Sequence, residues 1–242
     1  MATTKKTVLI TGSTRSIGLS LAKYYTKANW NVIGTARPSS NTDQLNALSP
    51  FKVVTLDTID EASILEAARQ VDGVPIDLLI NNAGIWIPDT FESATKEALM
   101  RQFEVNAVGP FLTTRALLPN LELAAKKHGF AYVAQVTSLL GSISSNTAEM
   151  DNFFSKAFGY APSKAALNMA TRSMSVSLRH KDIGFVTLNP GYVATDMNEH
   201  QGYLTPEESA ESMAKIVEKL ILDDTGKFYN ADKQYPAVEL PW

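Results

Sequence analysis

Apolar residues along this chain come in short runs that alternate with helically spaced ones. Thr7–Ile10 is an apolar run of the kind that forms a strand buried on both faces. It breaks at Gly12 and resumes at Ile17, where Ile17, Leu21, Tyr24 and Tyr25 share one face at three- and four-residue spacing. The alternation then repeats. Strands are predicted over residues 30–35, 51–56, 76–80, 132–137 and 185–188, with a short one over 227–230. Helices are predicted over 61–71, about 96–127 with a break around Gly109-Pro110, about 160–179, and 206–222. Strands alternating with helices predict an α/β fold, a doubly wound parallel sheet with helices on both faces, in a single domain over residues 1–242. Ligands of such sheets bind at the carboxyl ends of the strands. Gly12, Arg37, Asp57, Asn81, Ser138 and Pro190-Gly191 each fall just past an apolar run. That rim is the candidate site.

Composition narrows the field. The chain has 242 residues, with 22 basic and 25 acidic side chains and a net charge of −3. Nothing there points to a nucleic-acid patch or a membrane-attracting face. The absence of cysteine excludes disulfides, thiolate zinc sites and cysteine nucleophiles, and fits a reducing compartment. No linker, repeat or low-complexity run divides the chain. Lys5 and Lys6 precede an apolar run too short for a signal peptide or a membrane span, so a soluble cytoplasmic protein is expected. His128, His180 and His200 are scattered, with no carboxylate or second histidine at ligand spacing. They read as surface residues, and no metal site is expected.

A helix starting after the Gly12 turn aims unpaired backbone N–H groups and its positive dipole end at whatever sits above it, and a pyrophosphate suits that place. An ordinary strand-to-helix turn explains the glycines equally well. Tyr160 and Lys164 lie four apart and so share a helix face. A free phenol, with a pKa of about 10, is a poor acid–base catalyst near neutrality. A nearby lysine ammonium lowers that pKa, and the pair can then exchange a proton with a carbonyl or alcohol oxygen. Taken alone, the pair is more readily explained by packing or exposure.

Five segments together resemble the short-chain dehydrogenase/reductase family. They are Thr11-Gly12-Ser13-Thr14-Arg15-Ser16-Ile17-Gly18, Asn81-Asn82-Ala83-Gly84, Asn106 within Val105-Asn106-Ala107-Val108-Gly109, Ser138 with Tyr160-Ala161-Pro162-Ser163-Lys164, and Pro190-Gly191-Tyr192-Val193-Ala194-Thr195. The ending, from Gly226-Lys227-Phe228 through Pro241-Trp242, is similar to sniffer-type carbonyl reductases and C-factor-like proteins. The resemblance implies a Rossmann fold, with Asn106, Ser138, Tyr160 and Lys164 as the catalytic set. In that set Ser138 holds the substrate oxygen, Lys164 also binds the ribose hydroxyls, and Asn106 holds a water leading protons to Lys164. It further implies a dinucleotide held by Gly12, Thr14, Arg15, Ser16, Ile17 and Gly18, by Arg37 and Asp57, by Asn81, Ala83 and Gly84, by Tyr160 and Lys164, and by Pro190, Gly191, Val193 and Thr195. For three of these a plainer role stands beside that one: Asn81 as a polar strand end, Asp57 as a loop acid or helix cap, and Thr195 as a turn residue.

Two positions depart from the family pattern. Ser16 stands where the family has the middle glycine of the turn, and Ser138 and Tyr160 are 22 positions apart, more than the family's usual gap. At the end of the second strand, Ala36 and Arg37 replace the acid of NAD enzymes, and Arg15 can reach the same phosphate, so the expected cofactor is NADP(H). The expected reaction is reduction of an aldehyde or ketone, with alcohol oxidation as its reverse. A dinucleotide-sensing regulator, which would be expected to lose the tyrosine or lysine, and a C-factor-like signalling protein are the competing classes. Leu112, Leu117, Leu118 and Leu121 suggest surplus apolar surface and hence a homo-oligomer, a dimer or tetramer. Trp86, Phe91, Phe103 and Phe111 read as core or subunit-contact residues. In the connection 141–159, Ser142 to Asn146 reads as a mobile hinge. Met150, Phe153, Phe154 and Phe158 read either as a lid on the substrate or as packing.

Overall fold

Each predicted apolar run is a strand in the computed structural model, which describes residues 5–235 and 237–242. Strand β1 (Thr7–Ile10) is followed by α1 (Ser16–Lys27), β2 (Asn31–Ala36), α2 (Asp43–Asn46), β3 (Lys52–Thr55), α3 (Glu61–Gln70) and β4 (Leu78–Asn81). A long loop leads to α4 (Lys96–Phe103), which runs through a π turn (Glu104–Val108) into α5 (Gly109–Ala116) and then α6 (Leu118–His128). The chain continues through β5 (Ala131–Val136), α7 (Asp151–Phe154), α8 (Tyr160–Ser177), β6 (Ile183–Asn189), α9 (Pro206–Val217) and β7 (Phe228–Asn230). Residues 1–4 and 236 of the expected 1–242 domain lie outside the described residues.

The sheet order is β3-β2-β1-β4-β5-β6-β7, and every pairing is parallel. Successive strand side chains point to opposite faces, and here both faces are covered, which is why the strands are apolar throughout. Val8, Ile10, Leu78 and Ile80 pack on α1 and α9 through Leu21, Tyr25, Met213 and Ala214. Leu9, Ile33, Leu79 and Phe185 pack on the other side against Ile64 of α3, Leu121 of α6 and Met174 of α8. Leu117 and Leu121 belong to this second core, and Leu112 and Leu118 pack against it. These leucines are therefore not surplus apolar surface, contrary to the reading from the sequence. Chain order reverses between β1 and β4, and the crevice for a ligand opens there.

The break expected around Gly109-Pro110 falls directly ahead of that pair. The helix changes register ahead of it, in the π turn, and stops at Leu117 before Pro119 of α6. Proline has no N–H for the helical ladder, and the π turn is where that ladder is already re-registered. Helices α2 and α7 are four residues each, too short to leave a periodic signal.

Candidate active site

The Gly12 turn is built by ties between β1 and β4. Thr11 Oγ1 accepts from the N–H groups of Asn82 (2.9 Å) and Ala83 (3.0 Å), and Asn82 Nδ2 donates to the carbonyls of Thr11 (3.0 Å) and Gly12 (3.3 Å). At Gly18 an added Cβ would stand 2.2 Å from the Gly12 carbonyl oxygen, so only glycine lets α1 start this close to the turn. Arg15, the residue before α1, makes no side-chain cap, which leaves the first-turn N–H groups for a ligand. Ser16 sits at φ = +47°, in the left-handed region that glycine enters without strain.

Beside the turn lies a cleft of about 780 Å³. One end is formed by Gly12, Thr14, Arg15, Ser16, Ile17 and Gly18 of the turn. Arg37 and Asp57 close one side, Ala83 and Gly84 form the floor, and Tyr160, Lys164, Pro190 and Thr195 stand at the far end. Arg37 is exposed, and Arg15 is ion-paired with Asp196 at 3.1 Å, both partners exposed. Asp43, six residues past Arg37, also lines the cleft. Asp57 lines the cleft and makes a local turn, its Oδ1 accepting from Ile59 N–H (3.3 Å), while the cap of α3 is Asp60. Thr195 likewise lines the cleft and caps a short turn, its N–H donating to Asn198 Oδ1 (3.0 Å).

Asn81, Gly191 and Val193 are not on the cleft wall. Asn81 is buried and its Nδ2 donates to Thr114 Oγ1 (3.0 Å), tying α5 to the sheet. Strand alternation gives the cleft-facing place to Asn82 instead. Gly191 and Val193 lie behind the wall, where Val193 bridges to Leu204.

Tyr160 opens α8 and Lys164 follows one turn later, 4 % exposed, its Nζ donating to the Val136 carbonyl (2.9 Å) and standing 5.7 Å from the Tyr160 ring centroid. The Ser138 hydroxyl accepts from Leu140 N–H (3.2 Å) and hydrogen-bonds the Tyr160 phenol. Burial pushes the phenol up to about 12, against the lowering effect of Ser138. The Lys164 ammonium is not among the causes in the free protein. Burial also pulls Lys164 down, to about 8. In the free protein the tyrosine therefore holds its proton at neutral pH.

Asn106 is buried in the π turn, off the cleft wall. Its side chain is spent on Ile85 and on Ser163 Oγ (3.0 Å). It fixes the loop after β4 to α8.

The connection before α8 is held at both ends. Ser142 is 1 % exposed and donates to the Pro241 carbonyl (2.7 Å), while Ser144 donates from N–H (3.1 Å) and Oγ (2.8 Å) to the Trp242 carbonyl. Residues 142–146 are therefore pinned rather than a hinge. Phe154 is buried, Phe153 meets Tyr192 edge-on (6.1 Å between centroids), and Phe158 meets Phe91 (5.8 Å). Phe91, read as core or contact, is 78 % exposed, and Phe111 is partly exposed. His128, expected at the surface without a carboxylate, is instead largely buried and pairs with Asp77. Among the described residues no group of three or more histidine, aspartate or glutamate side chains could hold a metal, and no helix is long and apolar enough to cross a membrane.

The family model described as short chain dehydrogenase matches residues 6–203. The C-signal protein of Myxococcus xanthus is 37% identical over 171 residues, which is 69% of this chain and 93% of that protein. The crystal structure of a carbonyl reductase from chicken fatty liver, with NADPH bound, superposes with a TM-score of 0.88 at 31% identity, covering 98% of this chain and 94% of that one. The carbonyl reductase Sniffer of D. melanogaster also gives 0.88, at 28% identity, over 98% of this chain and 100% of its own. With the match running through the turn, the β4 motif and the Ser138–Tyr160–Lys164 set, the chain belongs to the short-chain dehydrogenase/reductase family and is of the sniffer and C-factor-like type.

Proposed function

We propose that this protein is an NADPH-dependent oxidoreductase that reduces the carbonyl of an aldehyde or ketone. The carrying observation is the Tyr160 phenol on the cleft wall beside Ser138, with the buried Lys164 Nζ one helical turn away and 5.7 Å from its ring. A reductase needs a proton donor at the carbonyl oxygen, and a phenol pushed up to about 12 holds that proton at neutral pH. The bound nicotinamide would supply the hydride to the carbonyl carbon. Ser138 would hold the oxygen, Tyr160 would donate the proton to it, and Lys164 would stabilise the phenolate left behind.

The free N–H groups at the start of α1 suit a pyrophosphate. Arg37 at the end of β2 suits a 2′-phosphate, and Arg15 reaches it on leaving Asp196. The NADPH in the chicken fatty liver relative supports the same choice. Gly191 and Val193 would shape the wall from behind, and Asn106 would position rather than relay. The test is NADPH absorbance against a panel of aldehydes, ketones and quinones. Turnover of at least one is expected, and consumption of none overturns the reading.

The likeness to C-signal favours a second reading, in which cofactor binding matters more than turnover. It would show as NADPH binding without reduction of any compound in the panel, and the complete Ser138–Tyr160–Lys164 set counts against it. We also propose a cytoplasmic homo-oligomer. Exposed Met100, Val108 and Phe111 near α4 and α5, with Met169 and Val176 on α8, are the apolar surface for it. A monomer mass by light scattering at micromolar concentration overturns that assembly.

A further inference from the structure

The loop after β4 is gripped by side chains at every second residue. Asn106 accepts from Ile85 N–H (2.9 Å) and donates to the Ile85 carbonyl (2.9 Å). One helical turn earlier, Gln102 does the same for Ile87, accepting from its N–H (3.0 Å) and donating to its carbonyl (3.3 Å). A carboxamide carries the same donor and acceptor as a peptide group, so the two side chains act as a neighbouring strand would. Two residues further on, the chain itself becomes the third rung. Asp89 N–H donates to the Lys156 carbonyl (3.3 Å), and both oxygens of its carboxylate accept from Gly159 N–H (3.2 and 2.9 Å).

The ladder thus starts on the cleft floor, where Gly84 and Ile85 stand, and ends on the residue before Tyr160. Its three side chains are buried, with Gln102 and Asn106 at 0 % and Asp89 at 5 % exposure. The fit at its end is tight: a Cβ on Gly159 would lie 2.2 Å from Gln102 Nε2 and 2.8 Å from Asp89 Oδ2. Asp89 meets the start of an 18-residue helix, where the dipole and unpaired N–H groups make a buried negative charge affordable. Ser163 closes the circuit from the other side, accepting from Asn106 and donating to the Tyr160 carbonyl (2.6 Å).

We propose that Gln102 and Asp89 are positioning residues for Tyr160, carrying the placement of the cofactor-cleft floor to the first turn of α8 and so setting the phenol against Ser138. This rests on the reading of Tyr160 as proton donor. Gln102→Leu keeps bulk and removes both contacts to Ile87. Asp89→Ala removes the grip on Gly159, whereas Asp89→Asn keeps an acceptor there.

In the intact protein, with NADPH and the best carbonyl of the panel, Gln102→Leu and Asp89→Ala should lower kcat roughly 10- to 100-fold, as ångström-scale misplacement does. NADPH affinity should barely change. The deuterium isotope effect on kcat with 4-deuterated NADPH should rise as hydride transfer becomes the slow step, and Asp89→Asn should recover most of the rate. A role in folding alone would lower the thermal midpoint and leave kcat per NADPH-binding site and the isotope effect unmoved, and that result overturns the proposal. Amide exchange at Gly159 needs no turnover and should quicken in Gln102→Leu. Unchanged exchange overturns the ladder, whereas a wild-type protein that reduces no carbonyl overturns the functional reading alone.

Discussion

The two ends of the cleft are built in opposite ways. At the end beside the Gly12 turn the charged groups, Arg15 and Arg37, stand in solvent, and among the described residues Arg15 is held by an exposed pair with Asp196. At the catalytic end Lys164, Asn106, Gln102 and Asp89 are buried, each with a partner on another element. An exposed ion pair contributes about 0–1 kcal/mol and is easily exchanged for a ligand. A buried polar group that loses its partner costs about 1–3 kcal/mol, so the inner network does not rearrange cheaply. Binding is left adjustable, and chemistry is held fixed.

The largest expected effect breaks the fixed end. Tyr160→Phe removes one hydroxyl and almost no volume, so the fold and NADPH affinity should survive while turnover drops about 10²–10⁴-fold. Retention of most of the carbonyl reductase rate would show that another group donates the proton.

At the adjustable end, Arg37→Ala should raise the NADPH dissociation constant roughly 10- to 100-fold, the worth of a charged hydrogen bond, with NADH binding unmoved. Equal losses for both cofactors would place Arg37 away from the 2′-phosphate.

A pH titration separates the ends in one experiment. Lys164 has a pKa near 8 in the fold against an ordinary value of 10.5, so between those limits the unfolded chain binds more protons than the native one. The contribution of Lys164 to stability therefore rises with pH across that window. Activity should move the other way, falling through about pH 8 as the ammonium beside the phenol is lost, while Tyr160 keeps its proton to about 12. Lys164→Met should flatten the stability rise, and an unchanged rise would assign it to another group.

The smallest effect concerns Ser16, whose left-handed backbone costs about 1 kcal/mol relative to glycine. Ser16→Gly should raise the melting temperature slightly. A lower one would mean that the hydroxyl stabilises the turn by more than its strain.

The strands were legible because a strand covered on both faces must be apolar at every position, as Val8, Leu9 and Ile10 are. Tyr160 and Lys164 were legible by their spacing and Ser138 through the family resemblance, and the structure brings the three together. Asn81 and Asn82 were not separable, since which of two adjacent residues faces the cleft depends on strand phase. Gln102 and Asp89 left no signal, because a glutamine in a helix and an aspartate in a loop are ordinary until the fold sets them on Ile87 and Gly159. The small residues Ser142 to Asn146 suggested mobility, but small polar residues serve equally to approach another backbone, here the carbonyls of Pro241 and Trp242. The direction of the Tyr160 shift also depended on the fold, since burial outweighs the lowering effect of Ser138.

The parallel pairing of β1 with β4 has a consequence for how the molecule comes into being. Val8 lies beside Leu78, and Thr7 N–H donates to Asp77 (2.7 Å), so the centre of the sheet joins residues 70 apart in sequence. Contacts this distant are slow to form because the loop-closure entropy precedes any gain from them. During synthesis β1 must wait with an uncovered apolar edge until β4 has emerged, several seconds later at about 5–20 residues per second. In that interval the nascent chain is open to wrong pairings and suited to chaperone binding.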